Sequence, residues 1–255
     1  MTITDIEGFL ASGVASGIKN NKELDLALVT TEDQQPVPTA AVFTSNKMTA
    51  APVLVSRRHL EVTGGVASTV VLNSGNANAA TGEQGLIDAE KMCQLTAQGL
   101  GCESSEVLVC STGWIGYPLP MKEITYGIKS AIDSLKDDQG KTAAKAIMTT
   151  DTVPKNTLVE AKGFSVGGIS KGAAMLQPNM ATMLSVLTTD AVINPQEATR
   201  LLQQAVSVSF NCLTVDGAES TNDTVILLAN GKSGVEDSAL LGEALIGACK
   251  DLAVQ

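Results

Sequence analysis

Histidine is almost absent from this 255-residue chain, with His59 the only one. A Ser-His-Asp arrangement therefore has one possible base, and a histidine-rich metal site has too few ligands. Nucleophilic chemistry here would draw its base from an amine or a carboxylate. Aromatic residues are scarce too, at 3%. The core must then be built mainly from Ala, Val, Leu and Ile within the 44% of hydrophobic residues, which suits closely packed layers of helix and strand. No apolar run reaches the roughly 18 residues that point to a membrane-spanning helix. The start, MTITDIEGF, lacks the basic-then-apolar order of an export signal. These absences predict a soluble, unexported, cytoplasmic protein with no membrane partner. The five cysteines, Cys93, Cys102, Cys110, Cys212 and Cys249, never form a CxxC pair, which predicts buried free thiols in a reducing compartment.

Clustered positive charge is also missing. The net charge is −10, and the only dense basic patch is Arg57-Arg58-His59, too short to suggest more than a solvated loop or strand end. Phosphate backbones need clustered Lys and Arg, so nucleic acid is excluded as a partner, while small zwitterionic metabolites fit. Gly231-Lys232-Ser233 is no phosphate loop, because Ile226 stands where its first glycine belongs. The Asn222-Asp223-Thr224 sequon has no export signal to give it meaning. Asp216, Glu219 and Asp223 could suggest a metal, but acidic loops of this kind are more often solvated or capping, so no metal is assigned.

What is present alternates between strand and helix patterns. Strands are predicted over 24–30, 37–43, 69–72, 107–110, 164–169, 182–188 and 225–228. Helices are predicted over 86–100, stopping at Gly101, and over 121–136, 141–148, 194–204 and 238–253. NSGN (73–76) reads as a loop of turn formers. The mixture argues for a single α/β fold without internal repeats or long linkers.

The chemistry concentrates in KGAAMLQPNMATML (171–184). A threonine after a small residue can attack the preceding carbonyl, pass through an ester, and emerge as a new N-terminus. Its own α-amine, with an unperturbed pKa of about 7.7–8.0, is then a usable base. On the residues alone, Thr182 is either such a nucleophile or an ordinary β-branched residue of the strand TMLSVLT. Further motifs are VPTAAVFTSNKMTAAPV (37–53), LNSGNANAATGEQG (72–85), VLVCSTGWIG (107–116), IMTTDTVPK (147–155) and FNCLTVDGAESTNDTVILLANG (210–231). By these motifs, in this order, the chain resembles the ornithine acetyltransferase family, also called glutamate N-acetyltransferase, of arginine biosynthesis.

The resemblance implies an α-β-β-α sandwich like that of N-terminal nucleophile hydrolases. It implies autocatalytic cleavage between Ala181 and Thr182 into pieces 1–181 and 182–255, with Thr182 as nucleophile. Thr112 and Gly113 match the family's oxyanion pair, and Lys171 its substrate-binding lysine. Thr149 matches its substrate-binding threonine, with Thr150 as the neighbouring alternative; Asp151 reads as a chain-turning residue. The implied reaction moves acetyl from N-acetylornithine to glutamate without cofactor or metal, and some members also use acetyl-CoA. Two copies of each piece would form a heterotetramer. The family's further substrate-binding glutamate, asparagine and threonine are expected beyond these 255 residues, so the chain is expected to be a fragment, a truncated product, or the partner of a separately encoded piece. The rival functions are an amidase or aminopeptidase of the same fold group and an inactive truncated protein.

Overall fold

The computed structural model describes residues 2–173, 183–213 and 220–255. In chain order the strands are β1 (Phe9–Val14), β2 (Leu26–Thr31), β3 (Val37–Phe43), β4 (Val66–Ala67), β5 (Thr69–Asn76), β6 (Val107–Trp114), β7 (Lys155–Glu160), β8 (Ser165–Lys171), β9 (Leu184–Thr189) and β10 (Thr224–Ala229). The helices are α1 (Ala51–Thr63), α2 (Gly82–Leu100), α3 (Met121–Asp133), α4 (Gly140–Ala146), α5 (Pro195–Ser207) and α6 (Ser238–Val254). One sheet runs β1-β2-β5-β6, the other β4-β3-β10-β9-β8-β7. Most neighbours are antiparallel, but β5 with β6 and β9 with β10 are parallel.

Three apolar clusters make this a four-layer α-β-β-α sandwich, as expected. Between the sheets lie Phe9, Val29, Val70 and Leu108 from the first, with Ile169, Val186 and Ile226 from the second. Outside the first sheet, Leu28, Val71 and Val109 pack on Val55 of α1, Met92 of α2 and Ile128 of α3. Outside the second, Val166, Leu187 and Leu227 pack on Leu202 of α5 and Leu245 of α6. The helix ends follow local chemistry. Asn194 Oδ1 accepts the Glu197 N–H at 2.9 Å with Pro195 in the first turn, and Asp237 Oδ1 accepts the Leu240 N–H at 3.0 Å.

Four of these elements were not expected: β1, α1, β7 and the two-residue β4. Helix α1 turns buried polar residues, not a clean apolar stripe, towards its neighbour. Ser56 Oγ donates to Val109 O and accepts the Val109 N–H, both at 2.8 Å, and His59 Nδ1 bonds Val107 O at 2.8 Å. Strand β6 ends its sheet, so these side chains take up backbone groups that would otherwise lack a neighbouring strand. The Arg57-Arg58-His59 patch is therefore helical, with His59 buried and Arg58 paired to Glu90. The NSGN segment is also not a loop. It extends β5, and Asn73, Ser74 and Asn76 are buried. Of the thiols, Cys93, Cys110 and Cys249 are buried as expected, but Cys102 is only half-buried and Cys212 is exposed. Burial raises the Cys110 and Cys249 thiols to about 12, which leaves them unreactive.

Candidate active site

Among the described residues, Thr112, Gly113 and Lys171 lie at one end of the sandwich. Thr112 and Gly113 belong to β6 itself, not to a turn after it, and Thr112 is buried while Gly113 is exposed. Lys171 is the last residue of β8, in the other sheet, opposite Leu184 in the β8–β9 register. Its Nζ donates to Thr112 Oγ1 at 3.1 Å, so the two sheets meet here through a buried polar contact. Met183 immediately precedes β9, its N–H bonded to Asp223 Oδ1 at 3.0 Å. Ala181 and Thr182, the predicted cleavage point and nucleophile, lie outside the described residues.

Gly113 is dictated by close approach. Strands β5 and β6 run in parallel register to Gly75 and Gly113, where a bulge makes Asn76 face both Thr112 and Trp114. Gly113 has φ +135°, and a Cβ there would lie 2.3 Å from the Gly75 carbonyl carbon. Only glycine fits both the conformation and the space.

Lys171 is not a surface lysine. Its side chain is almost fully buried, and loss of hydration is the chief reason its pKa falls to about 8. The carboxylates of Asp151 and Asp223 work against that fall; the charges of Lys155 and Lys19 add to it. Asp151, expected only to turn the chain, anchors a polar knot. Its carboxylate accepts the Gly172 N–H at 2.7 Å and the Thr149 N–H at 3.1 Å, and it pairs with Lys155. Burial pushes the Asp151 carboxyl up, but the Lys155 bond, the two N–H bonds and the Lys171 charge outweigh it and hold the pKa below the usual carboxylate range. Lys155 Nζ also donates to Gly172 O at 2.9 Å. One carboxylate thus ties Thr149 to the residue after Lys171. Thr149 is half-buried in this knot and Thr150 is exposed, which favours Thr149 of the two.

Beside Lys171 a cavity of about 230 Å3 is lined among the described residues by Lys155, Ser170, Gly172, Met183 and Phe210. Its polar lining, which also includes Thr152 and Gln255, combines cationic, hydroxyl and amide groups with the apolar Leu213 and Leu252, and the cations suit a small carboxylate-bearing ligand. His59 is at the far end of β6. It contacts Val107, five residues from Thr112, which at a strand rise of about 3.3 Å per residue is roughly 16 Å away. The only histidine therefore packs helix on sheet and takes no part at this end.

Sequence reasoning missed the polar knot of Asp151 and Lys155, and treated Asp223 as a solvated or capping acid. Asp223 is instead fully buried; Asp216 and Glu219 lie outside the described residues. Asp151 and Lys155 stand four apart around Pro154, a spacing that is a weak signal outside a helix.

A sequence model of the ArgJ family matches residues 10–255. The arginine biosynthesis bifunctional protein ArgJ of Thermobifida fusca is 46% identical over 256 residues, covering 100% of this chain and 66% of its own length. That of Geobacter sulfurreducens is 46% identical over 253 residues, covering 96% and 62%. The chain thus spans just under two thirds of the length of the curated relatives it matches. Among solved structures, ornithine acetyltransferase from Mycobacterium tuberculosis, complexed with ornithine, superposes with a TM-score of 0.63 at 37% identity, covering 72% of this chain and 96% of that one. The L-aminopeptidase D-Ala-esterase/amidase of Ochrobactrum anthropi, a variant of the Ntn hydrolase fold, matches at TM-score 0.59 and 16% identity over 99% of this chain, a likeness of fold alone.

Proposed function

This chain belongs to the ArgJ family, and from that premise we propose that it carries the nucleophile half of an acetyltransferase of arginine biosynthesis, moving acetyl from N-acetylornithine to glutamate through an ester on Thr182. The observation that carries the reading is the buried contact of Lys171 with Thr112, which brings a cation and a hydroxyl from two sheets to the start of the strand that follows Thr182.

In this reading the chain is first cut between Ala181 and Thr182. The piece 1–181 is 181 of 255 residues, close to the 72% of this chain that the solved ornithine acetyltransferase chain covers with 96% of its own length. The freed α-amine of Thr182 takes the hydroxyl proton as Oγ attacks the acetyl carbonyl. Negative charge grows on the carbonyl oxygen, where the Thr112 hydroxyl and the Gly113 N–H act as donors, each worth roughly 3–4 kcal/mol in such a site. The amine returns the proton to the departing ornithine nitrogen. Glutamate then attacks the acetyl-threonine ester by the reverse path, which requires ping-pong kinetics. Lys171 holds a substrate carboxylate, and Thr149 lies across the Asp151 knot from it. Acetyl-CoA would enter at the same ester, since acylation by a thioester leaves the glutamate step unchanged. A heterotetramer of two copies of each piece and a cytoplasmic setting complete the proposal.

The test is transfer between N-acetylornithine and glutamate in the full chain, alongside intact mass. Thr182→Ala is expected to remain one uncut polypeptide and to lose transfer. An uncut chain with full activity would overturn the reading, and acetylornithine consumed without N-acetylglutamate would make it a hydrolase.

A further inference from the structure

The segment Ser220–Thr224 contains no residue that the proposed reaction uses, yet it joins the two parts that the reaction must bring together. Asn222 and Asp223 are both buried. The Asn222 amide has two N–H groups and uses both across the sandwich, donating to Ala77 O at 2.6 Å and Ser111 O at 3.0 Å. Ala77 directly follows β5, and Ser111 directly precedes Thr112 in β6. This is where the parallel β5–β6 ladder is bulged, and past the bulge the backbone holds the two strand ends through the Ala77 N–H to Trp114 O at 3.0 Å. The Asn222 amide adds a second tie, from the segment leading into β10 of the opposite sheet.

The next residue reaches the other way. Asp223 Oδ1 accepts the N–H of Met183, the residue after Thr182, at 3.0 Å. The ladder continues this attachment, with Thr224 N–H donating to Met183 O at 3.1 Å and Thr224 facing Leu184 in parallel register. The dipeptide is itself anchored. Thr44 Oγ1 donates to Ser220 O at 2.7 Å, the Thr44 N–H to Asp223 O at 2.9 Å, and the Ala50 N–H to Thr221 O at 3.0 Å.

We propose that Asn222 and Asp223 are positioning residues forming a clamp, in which Asn222 fixes the Thr112–Gly113 strand end while Asp223 fixes the strand that begins after Thr182. The inference rests on the reading of Thr112 and Gly113 as oxyanion donors and Thr182 as nucleophile. Its physical basis is the steep dependence of acyl transfer on placement, where an error of about 1 Å can lower a rate on the order of 10²-fold. Strands β6 and β9 belong to different sheets, so a shared tether controls their separation more directly than the packing of either sheet.

A double-mutant cycle in the full chain separates positioning from stability. Asn222→Ala should lower kcat for acetyl transfer by about 10- to 10²-fold with KM little changed, because the donor is misplaced only for the transition state. In a Thr112→Ala background the same change should have a smaller effect, since one of the two donors it positions is already gone. Equal losses in both backgrounds, or no loss in the first, would overturn the clamp. If Asn222→Ala does not fold, Asn222→Ser retains one donor and enters the same cycle with the same criteria. The other half is read by the rate of chain cleavage. Asp223→Ala should slow it, and Asp223→Asn, which keeps an oxygen for the Met183 N–H, should largely restore it. A variant Asp223→Asn as slow as Asp223→Ala would overturn the assignment to that hydrogen bond. A Thr112→Ala protein with undiminished turnover would instead overturn the oxyanion reading, and the Asn222 half with it.

Discussion

Lys171 shows how much a single residue can carry at this site. Its ammonium has lost most of its hydration and feels the charges of Asp151, Asp223, Lys155 and Lys19, while its Nζ donates to Thr112 Oγ1. Two titrations should therefore shape activity in opposite senses. The Thr182 amine must be neutral to accept a proton, so kcat/KM should rise through its pKa, about 7.7–8.0 if unperturbed. Lys171 must be protonated to hold a carboxylate, so with its pKa lowered to about 8, kcat/KM should fall above that pH. The sign follows because a lowered lysine pKa brings loss of charge closer to neutrality. Lys171→Arg should remove the alkaline fall while lowering the maximum, since guanidinium stays charged but has a different shape. An alkaline limb unmoved by Lys171→Arg would assign it elsewhere. The importance of Lys171 was legible only through the motif around it. Composition treats any lysine as a surface residue, and only the meeting of two sheets makes this one buried.

At the scale of elements, the close approach of β5 to β6 constrains the site most tightly. Gly113→Ala would place a methyl 2.3 Å from the Gly75 carbonyl carbon at a φ of +135°. The strands must separate to admit it. We expect a stability loss of about 1–3 kcal/mol by denaturant unfolding, together with loss of turnover in whatever fraction still folds. Unchanged stability would mean that the strands part without strain. Elements whose signals are local were readable in advance: α5 begins at its Asn194 cap and Pro195, and α2 stops at Gly101. Those whose signals are tertiary were not. Helix α1 buries Ser56 and His59 against the backbone of β6, so its sequence lacks the apolar stripe that marks a helix. In β5, Asn73 and Asn76 look like turn formers but bond inward, Asn73 Nδ2 to Asn76 O at 2.9 Å and Asn76 Nδ2 to Pro118 O at 3.0 Å. The Asn73 bond is local, but Asn76 and Ser74, whose Oγ donates to Ala146 O at 2.6 Å, are spoken for by backbone that only the folded state brings near.

For the whole molecule, alternating strand and helix patterns were enough to indicate an α/β fold, but not the strand order. Pairings such as β3 with β10 join residues far apart in the chain, and periodicity has no knowledge of them. The four layers were legible through family resemblance and are borne out by the three apolar clusters. The clamp at Asn222 and Asp223 was hidden for the same reason as the strand order: its partners are Ala77, Ser111 and Met183, from both sheets. The central claim joins all three scales, placing an acetyl ester on a threonine that the chain itself exposes. The most direct measurement is mass analysis of the full protein quenched in acid after brief mixing with N-acetylornithine without glutamate. The account predicts a piece beginning at Thr182 that carries the mass of one acetyl group, localised to Thr182 by peptide fragmentation and discharged when glutamate is added. Rapid transfer with no acetylated piece at any time, or an acetyl group on another residue that turns over at the rate of the reaction, would contradict it.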